Sequence, residues 1–441
     1  MTSQIPKGRP ETLCMAPWVH TYLSPQTERR MCCASREPAQ SFKQYIDTSE
    51  GTGEYAPQTL GQWWNGEHMR SVRVRMIRGE TLPECEVCNN KLLNTDVYRS
   101  YFWYLFGDKY MQAMSTTDWA TGYYNGHPIS WDYRFSNLCN FKCRTCGDML
   151  SSAWETEQKT HNMVNWADPK NNWQLPEVRK AITAFQDEQI EAEFAQAVEE
   201  HRVEEVYWVG GEPLMYEQHW RYMKRIIELG DGHKTYARYN TNLSRVKYRD
   251  IDLFTDILAH LRDYQICASI DGTGAIGEYI RTGLDYNQWI ANYRRAVEMR
   301  RYSRQVRIDF TLTLPGLFSV NDIVQLAQDT QSEVLAKVVF SFSPDIILSP
   351  LALPRELLDK TVDRLVKNIP NGALKDVLLQ LKNRPNFEES WPAAYKQGLA
   401  QGKARVLQLE QIRGDTYTLA DILKENKEIY DWYENIRPDS N

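Results

Sequence analysis

From residue 129 onward the chain alternates between short apolar segments and helical ones, and this alternation limits the possible folds more than any other feature. The pattern predicts strands at Ile129–Phe135, Val203–Val209, Tyr236–Tyr239, Gln265–Ile270, Val306–Leu314 and Ala336–Phe342. Because helices are predicted between them, the sequence indicates an α/β fold with parallel strands that curl into a partial or full barrel. Ligands of such sheets bind at the carboxyl ends of the strands.

Three cysteines follow the first of these strands. Cys139, Cys143 and Cys146 have the spacing C-x3-C-x2-C within the segment NLCNFKCRTCG. Gaps this short place all three sulfurs in one loop. Iron–sulfur clusters are usually held by four cysteines, so a compact set of three predicts a 4Fe–4S cluster with one iron left open. An open coordination position at a metal is where chemistry takes place.

Two other interpretations of these thiols are weaker. Free cysteines are often core residues, but the neighbouring asparagines and glycine are typical of a loop. A zinc site would need a fourth ligand nearby, and neither His nor Cys occurs in the dozen residues after Cys146.

A second group of cysteines lies in the first 125 residues. It consists of Cys14, the vicinal pair Cys32 and Cys33, and a C-x2-C knuckle made by Cys85 and Cys88. These thiols are enough for one closed metal site. The residues alone leave its metal open, since structural zinc and a second iron–sulfur cluster both accept four thiolates.

The second predicted strand ends in the turn Gly210-Gly211-Glu212-Pro213. Glycines allow a ligand to approach the backbone closely, and Glu212 with the exposed carbonyls could bind an amine. Such residues are also common in an ordinary strand-to-helix turn. The position of this turn, one strand after the cysteine loop, favours a binding role.

The fourth predicted strand ends at Ser269 and Asp271, and Arg281 follows. These side chains are candidate polar contacts, and Arg281 could hold a carboxylate through a two-point pair. The glycines from Gly272 to Gly277 match G-x-G-x-x-G, a dinucleotide-binding pattern. We give that match little weight because the pattern predicts no helix opening on these glycines and no acidic strand end about 20 residues on.

The composition of the chain limits the classes of function that it can have. The chain has 441 residues, is 42% apolar and has a net charge of −6 without a large basic tract, so nothing indicates nucleic-acid binding. The N-terminus lacks a signal peptide, and no apolar run is long enough to cross a membrane; we therefore expect a cytoplasmic protein. In a reducing cytoplasm nine cysteines suggest metal chemistry rather than disulfides. Cys267 is interpreted as a core residue.

The three-cysteine motif followed by Gly-Gly-Glu-Pro resembles the radical S-adenosylmethionine (radical SAM) enzymes. Ser269-Ile270-Asp271-Gly272 resembles the S-x-D-G strand end of the branch with SPASM or twitch auxiliary-cluster domains, where an arginine often stands near the position of Arg281. Cys14 and Cys32 fit the first part of the pattern of such an auxiliary domain, although Thr27 stands where glycine is usual. The segment WWNGEHMRSVRVRMIRGETLPECEVC resembles its Trp–helix–C-x2-C portion. The resemblance covers roughly residues 14–315.

This resemblance implies a partial (β/α)6 radical SAM barrel at residues 126–350. An N-terminal Cys-rich auxiliary iron–sulfur domain would occupy residues 1–125, and a C-terminal helical extension residues 351–441. It also implies that the cluster binds S-adenosylmethionine and that one electron releases a 5′-deoxyadenosyl radical, which abstracts hydrogen from a substrate. The turn at Gly210–Pro213 would contact the methionine amine. Ser269 and Arg281, grouped with Asp271, would contact its carboxylate or the ribose.

Three features depart from the family pattern. Thr145 precedes the last cysteine of the loop, where an aromatic residue often packs near the adenine, so Phe141 or the backbone would hold the adenine. The auxiliary domain usually follows the barrel, whereas here it precedes it. Only four or five auxiliary cysteines are present, which favours one extra cluster of the twitch type.

The sequence therefore predicts a radical SAM oxidoreductase or maturase acting on a peptide or protein side chain, with an electron donor such as flavodoxin or ferredoxin. A sugar or nucleotide substrate is the first alternative. A non-catalytic zinc-binding interaction protein and a nicotinamide enzyme are the others. No side chain stands out as a general base.

Overall fold

The computed structural model describes residues 9–35, 55–90, 97–340 and 345–439. The chain forms two compact units. The first unit comprises Met1–Leu138, Thr156–Arg238 and Thr255–Tyr264; the second comprises Cys139–Glu155, Tyr239–Phe254 and Gln265–Asn441. The division into domains at residues 125 and 350 stays a prediction. Among the described helices, none is both long enough and apolar enough to span a bilayer.

The described residues contain twelve strands. They are β1 His20–Leu23, β2 Arg29–Arg30, β3 Ser130–Tyr133, β4 Lys142–Cys143, β5 Glu205–Trp208, β6 Tyr236–Thr241, β7 Lys247–Tyr248, β8 Ile251–Asp252, β9 Asp263–Ile270, β10 Arg281–Thr282, β11 Val306–Leu312 and β12 Val334–Val338.

Helices connect these strands and follow them. They are α1 Ala16–Val19, α2 Leu60–Trp64, α3 Glu67–Ile77, α4 Glu86–Asn89, α5 Val97–Phe106, α6 Tyr110–Ser115, α7 Ser152–Thr160, α8 Pro176–Phe185, α9 Glu191–Glu199, α10 Glu217–Glu228, α11 Gly274–Ile280, α12 Tyr286–Met299, α13 Val320–Asp329, α14 Arg355–Val366, α15 Ala373–Asn383, α16 Phe387–Ser390, α17 Pro392–Arg413, α18 Leu419–Leu423 and α19 Lys427–Asn435.

In the first unit the strands lie in the order β2-β1-β3-β5. β1 runs parallel to β3, with His20 opposite Ser130, and β3 runs parallel to β5. Phe194 of α9 covers this sheet, since its ring centroid lies 5.5 Å from that of Trp131 and 5.9 Å from that of Trp208. The N-terminal segment therefore contributes a strand to the same sheet as the first predicted barrel strand.

In the second unit β9, β11 and β12 are parallel neighbours. Ile266, Ala268 and Ile270 of β9 are fully buried, as are Ile308 and Phe310 of β11. These residues alternate along each strand and therefore lie on one face of the sheet, which is fully buried. The structure confirms the predicted mixed α/β architecture with parallel strands.

Several predicted elements differ from the observed ones. The single helix expected at about Thr59–Arg78 is two helices, because Gly66 has an extended ψ and a Cβ there would lie 2.7 Å from the carbonyl oxygen of Gln62. The expected strand over Trp18–Leu23 begins only at His20, after α1. The helix expected over Ile251–Leu261 begins with the short strand β8. The last two residues of the predicted strand Ala336–Phe342 lie outside the described residues.

Candidate functional site

The cysteine loop is held by a short pair of strands in the second unit. β4 and β10 are antiparallel, with Cys143 opposite Arg281. The Arg144 N–H donates to the carbonyl of Ile280 at 2.7 Å, and the Cys146 N–H donates to the carbonyl of Cys143 at 3.0 Å. The backbone therefore fixes two of the three cysteines and brings Arg281 beside Cys143.

The three thiols of this loop interact with one another. Burial raises the pKa of the Cys143 thiol, and the neighbouring thiols of Cys146 and Cys139 raise it further, whereas the Arg281 guanidinium lowers it. Burial also raises the pKa of the Cys146 thiol. Thiols become metal ligands as thiolates, so a cationic iron site would stabilise the charged form that burial disfavours.

The donor set at this loop fits an iron–sulfur cluster. One loop carries three thiols, with Arg281 paired opposite Cys143, and each thiolate would take a different iron. In the part of the chain that the structure describes, no three His, Cys, Asp or Glu side chains are placed to hold a single metal ion. The fit therefore rests on the number and chemistry of the donors.

A buried carboxylate links the loop to the end of β9. Asp271 is fully buried and pairs with Arg281, whose Nη2 donates to Oδ1 at 2.9 Å. The Thr145 hydroxyl donates to the other carboxylate oxygen of Asp271 at 3.2 Å. Thr145, found where an aromatic ring was expected, thus acts as a hydrogen-bond donor between the cysteine loop and this ion pair.

One donor of Arg281 has no protein partner. Its Nε is buried, and no acceptor among the described residues bonds to it. Leaving a buried donor unsatisfied costs about 1–3 kcal/mol, so this atom is a candidate contact for an anionic group of a ligand. The Nη2 atom of the same guanidinium is already held by Asp271.

Two further predicted residues, Ser269 and Phe141, make contacts with other residues of the protein. Ser269 donates from Oγ to Asp309 at 3.5 Å, a distance at the limit of a hydrogen bond. The Phe141 side chain is buried, and a Cβ at Gly283 would lie 3.0 Å from its ring. Contacts of these two residues with S-adenosylmethionine stay predictions.

The glycine turn of the first unit packs against the chain segment that leads to the cysteine loop. The Glu212 N–H donates to the carbonyl of Leu138 at 2.8 Å, and Leu138 immediately precedes Cys139 in the sequence. A Cβ at Gly211 would lie 2.3 Å from the Leu138 carbonyl oxygen. Gly210 has a φ of +134°, which L side chains rarely adopt. The close approach to Leu138 and the positive φ therefore require glycine at positions 211 and 210, without any contribution from a ligand.

The Glu212 side chain stabilises the same turn. Its carboxylate is buried and accepts the N–H of Leu214 at 3.0 Å, next to Pro213. The Tyr216 hydroxyl accepts the N–H of Gly211 and donates to the carbonyl of Ser136. The turn is thus rigid before any ligand binds.

The glycine pattern from Gly272 to Gly277 does open a helix, since α11 begins at Gly274. The prediction that no helix opens on these glycines is wrong. A Cβ at Gly277 would lie 2.3 Å from the carbonyl oxygen of Gly272, so the glycines allow the turn to close on itself. Close backbone packing therefore accounts for these glycines, and a bound dinucleotide is not needed to explain them.

The N-terminal cysteines separate into two environments. Cys14, Cys32, Cys85 and Cys88 line one small cavity of about 20 Å³. Burial raises the pKa of the Cys14 thiol, and the nearby thiols of Cys85 and Cys88 raise it further. Burial also raises the pKa of the Cys32 thiol, and the thiols of Cys33, Cys14 and Cys85 raise it further.

Cys33 faces another part of the first unit. Burial raises the pKa of its thiol to about 11; Asp132 contributes to the rise, and a hydrogen bond with Tyr98 opposes it. It does not line the small cavity that the other four thiols share. Of the vicinal pair, Cys32 is thus the one grouped with the knuckle.

Sequence reasoning missed the contacts between the C-terminal segment and the cysteine loop, all within the second unit. Asp415 accepts a hydrogen bond from Arg144, and Glu410 accepts one from the Tyr279 hydroxyl at 2.8 Å. Arg413 donates to the Thr282 hydroxyl at 3.0 Å. We call Glu410, Arg413 and Asp415 the C-terminal brace. Contacts between residues so far apart leave no local sequence signal.

Asp309 was also missed. It accepts hydrogen bonds from Lys337 at 2.9 Å and from the Asn240 amide at 3.1 Å, and Ser269 lies beside it. A signal was present, because Asp309 is an acidic residue between Ile308 and Phe310 within the predicted buried strand. A carboxylate at such a position is a candidate polar contact for a substrate.

Comparison with known families adds an independent finding. Residues 133–329 match the family model described as the Radical SAM superfamily. No curated protein matches the chain. A solved structure of TYW1 with a lysine–pyruvate adduct bound is similar over 58% of this chain and 79% of its own, with 16% identity and a TM-score of 0.28. A TM-score this low does not establish a shared fold.

Proposed function

Because residues 133–329 form a radical SAM domain and the protein is an enzyme of the radical SAM class, we propose that it cleaves S-adenosylmethionine at a 4Fe–4S cluster held by Cys139, Cys143 and Cys146. The observation that carries this proposal is the loop itself. Its three thiols interact, and strand pairing places Arg281 beside them.

The residues around the loop have separate roles. Arg281 uses its unpartnered Nε to bind the carboxylate of S-adenosylmethionine, while Asp271 keeps the guanidinium in place. The turn at Gly210–Pro213 contacts the methionine amine, and Ser269 contacts the carboxylate or the ribose. When cluster and cofactor are bound, one-electron reduction supplies a 5′-deoxyadenosyl radical that abstracts hydrogen from the substrate.

We also propose an auxiliary iron–sulfur cluster of the twitch type on Cys14, Cys32, Cys85 and Cys88. Their shared cavity and mutual interactions support a common ligand set. Structural zinc is the alternative for this site, because it accepts the same four thiolates. Cys33 is left out of the ligand set.

The substrate we propose is a peptide or protein side chain, with a sugar or nucleotide as the second candidate. Flavodoxin or ferredoxin would supply the electron, and the reaction would take place in the cytoplasm. The radical SAM domain argues against both a non-catalytic zinc protein and a nicotinamide enzyme.

Metal analysis of anaerobically reconstituted protein tests the two thiol sets separately. Two clusters correspond to about eight iron and eight sulfide per chain. We expect C143A and C32A each to retain about four of each, and C33A and C267A to retain about eight. C33A is the matched control for C32A, since the two positions are adjacent. Iron loss in C33A would contradict the auxiliary ligand set, and zinc without iron in all variants would contradict both sites.

A further inference from the structure

The first unit contains a cavity of about 320 Å³, and of the described residues that line it only Cys32 has a role in the sites proposed above. Ligand-binding clefts in proteins start at about this size. Its walls combine aromatic rings, among them Tyr101 and Tyr207, with two arginines, Arg134 and Arg238, and two acids, Asp132 and Glu205.

Arg238 is the unusual member of this lining. Its guanidinium lies 4.3 Å from the ring centroid of Tyr101 and 4.4 Å from that of Tyr207. Its nearest acid is Glu205, at 3.8 Å from Nη1, which is too long for a hydrogen bond. Across the described ranges, no acceptor forms a hydrogen bond with this guanidinium. Stacking on aromatic faces leaves its in-plane N–H donors available.

The two acidic side chains of the cavity already accept hydrogen bonds from other residues. Glu205 accepts the Tyr101 hydroxyl at 2.7 Å and also accepts the Ser130 hydroxyl. Asp132 accepts from Arg134 at 3.2 Å. Neither acid can turn to Arg238 without giving up these bonds. The in-plane donors of Arg238 are therefore available to a ligand, because its ion pair with Glu205 is too long for a hydrogen bond. The side chain is also 22% exposed.

Charge balance selects the kind of anion. Two arginines and two carboxylates line the cavity, so its formal charge is about zero and a dianion such as phosphate gains little. A planar monoanion matches the fork of an arginine through two parallel hydrogen bonds. The aromatic walls suit the apolar part of such a molecule.

We propose that this cavity binds the carboxylate of a small organic acid, or of a peptide, through a two-point contact with Arg238. The statement that the bound molecule is the substrate rests on the proposed function. The binding of a carboxylate by Arg238 does not depend on that function.

The test uses full-length, anaerobically reconstituted protein without S-adenosylmethionine or reductant. Benzoate and N-benzoylglycine are titrated by calorimetry against benzamide and N-benzoylglycinamide, which have the same shapes without the charge. A short peptide as its free acid and as its amide distinguishes a peptide carboxylate from a small acid. We expect at least one acid to bind and its amide to bind about tenfold more weakly or worse.

Arg238→Gln should weaken binding of the acid by about tenfold or more, and Arg238→Lys should also weaken it because Lys cannot form the two-point contact. Arg307→Gln is the matched control: Arg307 lies on β11, its side chain is 19% exposed and it pairs with Glu333. It should bind like wild type. Equal binding of acid and amide, unchanged binding in both Arg238 variants, or no binding of any acid would overturn the inference. The acid–amide comparison needs no variant, and failure to cleave S-adenosylmethionine would overturn only the proposed function.

Discussion

At the scale of single residues, the chain uses few side chains to join the cysteine loop to the end of β9. Asp271 accepts from both Thr145 and Arg281 and is fully buried. A buried carboxylate is tolerated when it is paired and hydrogen-bonded. Thr145 therefore has a structural reason to replace the aromatic residue that the family resemblance led us to expect.

Replacing Thr145 with Val removes the hydroxyl and keeps the shape. We expect the free energy of unfolding to fall by about 1–3 kcal/mol, since Asp271 loses a buried hydrogen bond, while iron content stays at the wild-type value. Chemical denaturation and iron analysis measure the two quantities. T160V is the control, because the Thr160 hydroxyl bonds only within its own exposed helix turn. A T145V protein as stable as wild type would show that this hydrogen bond contributes nothing.

Gly211 gives a second prediction at this scale. A Cβ there would lie 2.3 Å from the Leu138 carbonyl oxygen, a backbone atom that cannot move alone. We expect G211A to destabilise the protein by about 1–3 kcal/mol and to weaken binding of S-adenosylmethionine. Melting temperature and equilibrium dialysis report the two effects.

The control for this change is G61A, since a Cβ at Gly61 meets nothing within 4 Å and Gly61 lies in helix α2. Alanine favours helices over glycine by about 1 kcal/mol, so G61A should be at least as stable as wild type. If G211A matched G61A in both measurements, the close approach of the turn to Leu138 would be unimportant.

At the scale of elements, the C-terminal brace explains what the last helices do. Helix α17 places Glu410 and Arg413, with Asp415 just after it, against Tyr279, Thr282 and Arg144 of the second unit. Arg144 is almost fully buried, and its guanidinium also lies 4.0 Å from the Tyr279 ring centroid. The brace therefore contacts Thr282 of β10 and Arg144, the residue that directly follows β4.

Breaking the Arg144–Asp415 pair should therefore affect the cluster as well as stability. D415N leaves a buried guanidinium without its counter-ion, which costs about 3–5 kcal/mol when a pair is fully buried. Because Asp415 is 17% exposed, we expect the lower end of that range, together with a loss of iron. D431N is the control, since Asp431 pairs with Lys427 at the surface and exposed pairs contribute about 0–1 kcal/mol. Wild-type iron content in D415N would contradict this support role.

At the scale of the whole molecule, local patterns in the sequence account for the parallel α/β architecture, because buried strands such as β9 and β11 carry recurrent apolar residues. Short Cys spacings also confine three thiols to one loop. The pairing of Cys143 with Arg281, the helix break at Gly66, the brace around Arg144 and the aromatic surroundings of Arg238 were not predictable. They depend on backbone geometry or on contacts between distant segments, which periodicity does not encode.

The same distinction applies to the vicinal cysteines. Sequence spacing could not choose between Cys32 and Cys33, because adjacent residues are equally near the knuckle along the chain. Three-dimensional packing separates them, since one side chain joins Cys14 and Cys85 while the other joins Tyr98. Residue chemistry therefore indicated a metal site but left its metal open, and our proposal of Cys32 as the ligand rests on the fold.

The central claim is that the loop of Cys139, Cys143 and Cys146 holds a cluster that cleaves S-adenosylmethionine. The most direct measurement is 5′-deoxyadenosine formed by anaerobically reconstituted protein with S-adenosylmethionine and a reductant, quantified by mass spectrometry. We predict product from the wild type and from C267A, and none from C139A, C143A or C146A. No 5′-deoxyadenosine from a fully iron-loaded wild-type protein, or equal amounts from the three loop variants, would contradict the account.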